Sequence, residues 1–211
     1  MPTLRSALVA LALFAVPASA QTGRYTVSGT NPGGTGRYGG TVAVAQQGEA
    51  FRVLWDTGVP SVEGIGVVVN DVLAVAYGGA CGVVAYAPAD DGSGLYEAVW
   101  ATMGGSRLGT EVARPQGGEG RYAVAGTNPG SAGVYTGTLA MEPAGNATRI
   151  RWTVGGSAYD GIGLTVGGVL GIAYGAPSCS VAVYRVAGGT LDGVWTTLGA
   201  GGIGTEVATP Q

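Results

Sequence analysis

Two tandem eight-stranded antiparallel meander barrels, an all-β fold, are predicted by three features of this 211-residue sequence. The chain repeats itself once, each copy alternates apolar and polar residues over short runs, and glycine is scattered throughout without a collagen period.

The repeat is read end to end. Gly23-Arg24-Tyr25-Thr26-Val27-Ser28-Gly29-Thr30-Asn31-Pro32-Gly33 returns as Gly120-Arg121-Tyr122-Ala123-Val124-Ala125-Gly126-Thr127-Asn128-Pro129-Gly130. The same order pairs Trp55 with Trp152, Gly64-Ile65-Gly66 with Gly161-Ile162-Gly163, and Ala76-Tyr77-Gly78 with Ala173-Tyr174-Gly175. Trp100 then matches Trp195, and Gly109-Thr110-Glu111-Val112-Ala113 matches Gly204-Thr205-Glu206-Val207-Ala208. Each copy is long enough for a modest core of its own. Residues 21–116 and 117–211 are therefore expected to be two separate barrels, joined at Gln116-Gly117-Gly118-Glu119.

Within a copy, Arg149-Ile150-Arg151-Trp152-Thr153-Val154 alternates strictly, as a half-buried strand does. The first copy puts Phe51, Val53 and Trp55 on the inner face of the matching strand. Continuing this way gives eight β segments per copy. In the first they centre on Tyr25, Val42, Val53, Val67, Ala74, Val84, Val99 and Val112. In the second the centres are Tyr122, Leu139, Trp152, Leu164, Ile172, Ala182, Val194 and Val207. Asn31-Pro32-Gly33, Asn128-Pro129-Gly130 and Asp91-Gly92 carry turn chemistry. Closing such a meander removes its edges. Two-sheet sandwiches of the same strands are the alternative.

Residues 1–20 read as a secretory leader: Arg5, an apolar run from Ala7 to Val16, Pro17, then Ala18-Ser19-Ala20. Cleavage is expected after Ala20, giving a secreted or periplasmic protein. The apolar run is too short for a transmembrane helix, so the mature chain is expected to have no membrane span.

Composition excludes several function classes. All ten cations are arginine, against 13 acidic residues and a net charge of −3. Such a chain offers no basic stripe for nucleic acid. Histidine is absent, which removes the commonest general base and metal ligand. No enzyme activity, catalytic residue, metal or cofactor is expected. The repeated acidic residues are Glu63/Asp160, Glu97/Asp192 and Glu111/Glu206. A carboxylate-dependent hydrolase would need two of them to converge in a cleft. Glu111 and Glu206 are instead expected to pair with a repeated arginine, Arg24/Arg121 or Arg52/Arg149, or to accept turn hydrogen bonds.

The candidate ligand-binding residues are the repeated rings Trp55, Tyr77, Tyr86 and Trp100, matched by Trp152, Tyr174, Tyr184 and Trp195. Alternating strand positions favour these rings as core filler, with a pocket lining as the second role. Cys81 and Cys179 occupy matching places. They are readable as a disulfide between the copies or as two separate buried thiols, and the latter is preferred.

Gly-x-Tyr-x-Val-x-Gly-Thr-Asn-Pro, the strand ending in Trp, Ala-Tyr-Gly and Gly-Thr-Glu-Val together resemble a family of small exported bacterial all-β proteins, some labelled fibronectin-binding proteins. The resemblance covers nearly the whole chain beyond the leader, twice over. It implies an exported β-domain that binds an extracellular matrix or surface partner, and it brings no catalytic residues. In strand count and Gly/Trp usage the chain is also similar to avidin- and lipocalin-type barrels, a likeness of fold alone.

The function expected is a non-enzymatic binding or adhesion protein with two equivalent domains, whose partner is a protein, glycan or small molecule. The alternative is a calycin-like barrel that binds a small apolar or aromatic ligand in each copy. A cavity lined by Trp55 and Trp100 is the mark of that alternative. An exposed apolar or aromatic patch is the mark of the first.

Overall fold

A computed structural model describes residues 21–58, 60–200 and 202–211. The expected leader lies outside the described residues. Sixteen strands follow one another. The first copy holds β1 Gly23–Thr30, β2 Arg37–Gln47, β3 Ala50–Asp56, β4 Val62–Val69, β5 Val72–Tyr77, β6 Cys81–Pro88, β7 Tyr96–Thr102 and β8 Gly109–Pro115. The second holds β9 Arg121–Thr127, β10 Val134–Ala144, β11 Ala147–Val154, β12 Ser157–Val166, β13 Val169–Gly175, β14 Ser180–Ala187, β15 Thr190–Thr197 and β16 Gly204–Pro210. Every segment centre read from the sequence falls inside its strand.

The strands form two closed antiparallel barrels and no sandwich. The barrels do not coincide with the two copies, which corrects the expected division at residues 116 and 117. Barrel A runs β1-β2-β3-β4-β5-β14-β15-β16 and closes back on β1. Barrel B runs β6 through β13 in order and closes by β13 against β6. Each copy thus gives five strands to one barrel and three to the other. The segments that cross between barrels are Gly78–Ala80 and Ala176–Cys179. The exchange has a simple physical basis. The two copies carry interchangeable strands, so β5 meets β14 in the register in which it could have met β6: Tyr77 faces Ser180 and Val75 faces Ala182. Alternation fixes which face of a strand turns inward, and it says nothing about which copy supplies the neighbour.

Three apolar cores result. Barrel A encloses Tyr25, Val27, Val42, Val53, Leu73 and Leu191, and barrel B encloses Tyr86, Val124, Leu139, Ile150 and Ile172. The third core lies between the barrels, where Ile65, Val67, Ala74, Val83, Ile162 and Val181 meet from outer faces. Strands at this seam are buried on both sides, which is why β5 and β6 read as unbroken apolar runs. Gly171 makes the close approach possible. A methyl group there would lie 2.6 Å from Val183 and 2.8 Å from the Ala74 side chain.

The crossing segments are joined covalently. Cys81 and Cys179 form a disulfide with Cα atoms 5.7 Å apart, which corrects the preference for separate thiols. Each cysteine stands where its copy passes from one barrel to the other.

The high glycine content also finds a reason. Aromatic rings lie flat across glycines of the neighbouring strand: Trp100 over Gly109, Trp195 over Gly204, Tyr135 over Gly126 and Tyr38 over Gly29. A Cβ at Gly109 would collide with the Trp100 indole and the Thr127 carbonyl. Gly109→Ala is therefore expected to cost about 1–3 kcal/mol, the usual penalty of overpacking, read as a lower urea midpoint. An unchanged midpoint would mean that the ring has room to move.

Candidate functional site

Each barrel is filled at one end and hollow at the other. In barrel B a cavity of about 510 Å³ opens among Trp100, Tyr135, Trp152, Tyr159 and Tyr174, with Glu111 also in its wall. Barrel A has a smaller one, about 280 Å³, among Tyr38, Trp55, Tyr77, Trp195 and Glu206. The two are equivalent in construction. Both lie at the end that holds the disulfide, since Cys81 pairs with Gly175 beside Tyr174.

A buried glutamate organises each site. Gly109, Glu111 and Ala113 alternate inward along β8, as Gly204, Glu206 and Ala208 do along β16. Glu111 therefore enters the barrel with only 5% of its surface exposed, and Glu206 with 4%. Burying a carboxylate is costly unless hydrogen bonds compensate it. Here three donors do so in each barrel. Glu111 Oε1 accepts from the Tyr86 hydroxyl and from Trp152 Nε1 at 3.0 Å, and Oε2 accepts from the Tyr135 hydroxyl at 2.9 Å. Glu206 Oε1 accepts from Tyr184 at 2.6 Å and Trp55 Nε1 at 3.0 Å, and Oε2 from Tyr38 at 2.8 Å. Burial pushes Glu111 above the usual carboxylate range, and the three donors pull in the opposite direction. Burial first, and then the neighbouring carboxylate, raise the tyrosine hydroxyls at 86, 135, 38 and 184, so they remain protonated donors.

This arrangement replaces the expected arginine partners of Glu111 and Glu206. Arg52 instead pairs with Glu63 at 2.8 Å, and Arg151 with Asp160 at 2.7 Å, both on the exposed outer face. A carboxylate held by three neutral donors, distant in sequence, is hard to read before the topology is known. The available signal was inward parity with Gly109 and Ala113, which marks Glu111 as interior.

The candidate rings divide between two roles. Tyr86, Tyr184, Trp55 and Trp152 are buried and tie the glutamates, while Tyr77, Tyr174, Trp100 and Trp195 are partly buried in the cavity walls. Trp55, Tyr184 and Trp152 do both, holding a carboxylate and lining a cavity. Trp55 and Trp100, expected to line one cavity, line different ones because of the strand exchange. Tyr135, Tyr38, Tyr159 and the two glutamates complete the sites and were missed as ligand-binding candidates. The Nε1 atoms of Trp100 and Trp195 are buried and donate to no acceptor among the described residues.

The two sites are not equal. Where barrel B has Tyr159, barrel A has Val62, and Pro60 stands where Ser157 begins β12. Proline cannot donate to the ladder, so β4 starts later than β12 and its end of the wall is shorter. Tyr159 meets Tyr174 edge to face, with ring centres 6.4 Å apart. Among the described residues, no cluster of acidic or sulfur side chains has the makings of a metal site. Comparison of the chain with protein-family models, with curated proteins and with solved structures gave no match.

Proposed function

We propose that the chain is a non-enzymatic binding protein that takes a small ligand in the mouth of each barrel, chiefly in barrel B. The observation that carries this reading is the cavity of about 510 Å³, walled by aromatic rings, with Glu111 as its one carboxylate and Thr102, Asn128 and Ser157 as further polar groups. Its size lies within the roughly 300–1,000 Å³ of small-ligand pockets, and a mostly apolar wall with few polar anchors is their usual chemistry. The glutamates are unsuited to acid–base work. Their oxygens are engaged by fixed donors, and the two lie in different barrels, so no pair converges as a hydrolase requires.

The adhesion reading has less support. Among the described residues the large exposed apolar side chains are Val134, Tyr159 and Val207, on β10, β12 and β16, and β16 belongs to the other barrel. They offer no single apolar face to a protein partner. Export belongs to the proposal: the leader and a disulfide both fit an oxidising compartment.

The test is a thermal-shift screen of apolar and aromatic small molecules, combined with native mass spectrometry of protein purified from its own secretions. A ligand should raise the melting temperature and alter tryptophan fluorescence. Its effect should weaken in Trp152→Phe and Tyr174→Leu. A screen without shifts, together with unliganded native protein, would count against small-molecule binding.

A further inference from the structure

We infer that the ligand of the barrel B cavity is an organic cation, an alkylated ammonium group held against aromatic faces near Glu111. This rests on the small-molecule reading above and specifies its chemistry.

The first argument is the angle between the rings. Trp100 and Tyr135 meet at 69°, Trp100 and Tyr174 at 71°, Trp152 and Tyr174 at 59°, and Tyr159 and Tyr174 at 89°. A flat aromatic ligand is best held in a slot between parallel faces. Rings set steeply to one another enclose a compact, rounded group on several sides. An alkylammonium has that shape, and its charge is attracted to ring faces.

The second argument is charge. Among the side chains lining this cavity, Glu111 is the sole carboxylate and no arginine is present. Arg107 lies against Gly130, two residues beyond the lining residue Asn128, and does not reach the wall. Among the described residues the carboxylate has no cationic partner, only neutral donors. A buried charge without a counter-charge is costly, and a cationic ligand supplies the missing one. The same carboxylate repels anions.

The third argument is how the donors are used. The hydroxyls of Tyr86 and Tyr135 and Nε1 of Trp152 are committed to Glu111, so these polar edges turn to the carboxylate. A carboxylate offers about four acceptor positions, and three are filled. Barrel A repeats the design with Glu206, yet it has Val62 in place of Tyr159 and about 280 Å³ of space. Its site should be the weaker of the two.

Isothermal titration of the full chain with choline and with its neutral isostere 3,3-dimethyl-1-butanol tests the inference. Choline is expected to bind at least about tenfold tighter than the isostere. Glu111→Gln should weaken choline several-fold more than it weakens the isostere. Tyr159→Val copies the barrel A residue at a 43% exposed position, so the fold is retained, and it should also weaken choline selectively. Equal or tighter binding of the isostere, or no choline binding, would overturn the cation. Binding of the isostere, or of an apolar compound in the wider screen, would leave the small-ligand reading standing. Failure of both sets would remove both.

Discussion

Residues 21–116, produced without the second copy, are expected to assemble as a dimer rather than as a monomeric barrel. This fragment contains β1 to β8, so it holds a full complement of strands. What it lacks is cover for the outer faces of β4 to β7, where Ile65, Val67, Ala74, Ala76, Val83, Ala85, Val99 and Ala101 are buried in the intact chain. Fully burying one valine or isoleucine contributes about 1.5–3 kcal/mol, so leaving this seam in water is untenable for a small domain. A second copy of the fragment offers the same apolar face, and it can exchange β6 to β8 as the two halves of the full chain do. Size-exclusion chromatography with light scattering reads the outcome. A soluble, cooperatively melting monomer would refute it. In the full chain, cysteines introduced at Val75 and Ala182, which face each other across β5 and β14, should crosslink within one molecule. Without exchange, Val75 would face Val84 in β6, and the engineered pair would stay apart.

Removing the Cys81–Cys179 disulfide should have the next largest effect. The bridge closes a loop of 98 residues, for which the chain-entropy account gives about 4–5 kcal/mol. In a chain of this size that lowers the melting temperature by about 10–15 °C. The location adds weight, because the bridge ties together the two segments that cross between the barrels among the described residues. Cys81→Ala/Cys179→Ala and the wild type under reductant should melt alike, both well below the oxidised protein. A fall of less than about 2 °C would mean that the apolar seam alone fixes the crossing segments.

Much of this architecture was legible in the amino-acid order. Ile150, Trp152 and Val154 alternate with Arg149, Arg151 and Thr153, and those positions are buried or half-buried against exposed neighbours. Strand existence and inner face are local properties, so periodicity reveals them. Strand partners are not local. Tyr77 can be followed by a hairpin back to β6 or by a crossing to the other barrel, and three residues between β5 and β6 allow both. The same gap separates Glu111 from its environment. Tyr86, Tyr135 and Trp152 come from strands that sit around one barrel only after the exchange, so the glutamate was matched to arginines by charge. Arg52 did pair with a repeated acid, Glu63, which stands diagonally across β3 and β4. That contact becomes visible once register is known. The cavity depends on what fails to fill a barrel end, a property no single residue encodes.

The closure of barrel A by β1 against β16 governs the order in which the protein can mature. Thr30 and Thr205, bonded through their hydroxyls, stand 175 positions apart along the chain. Barrel B is one uninterrupted stretch and can form while the chain is still emerging. The first five strands of barrel A must then wait, edges unpaired, until the final three arrive. Pairings across such long loops are slow, and waiting edges invite association. Vectorial delivery, N-terminus first, therefore leaves a half-built sheet exposed for as long as the remaining hundred or so residues take to appear, and an attendant chaperone would have its natural substrate there.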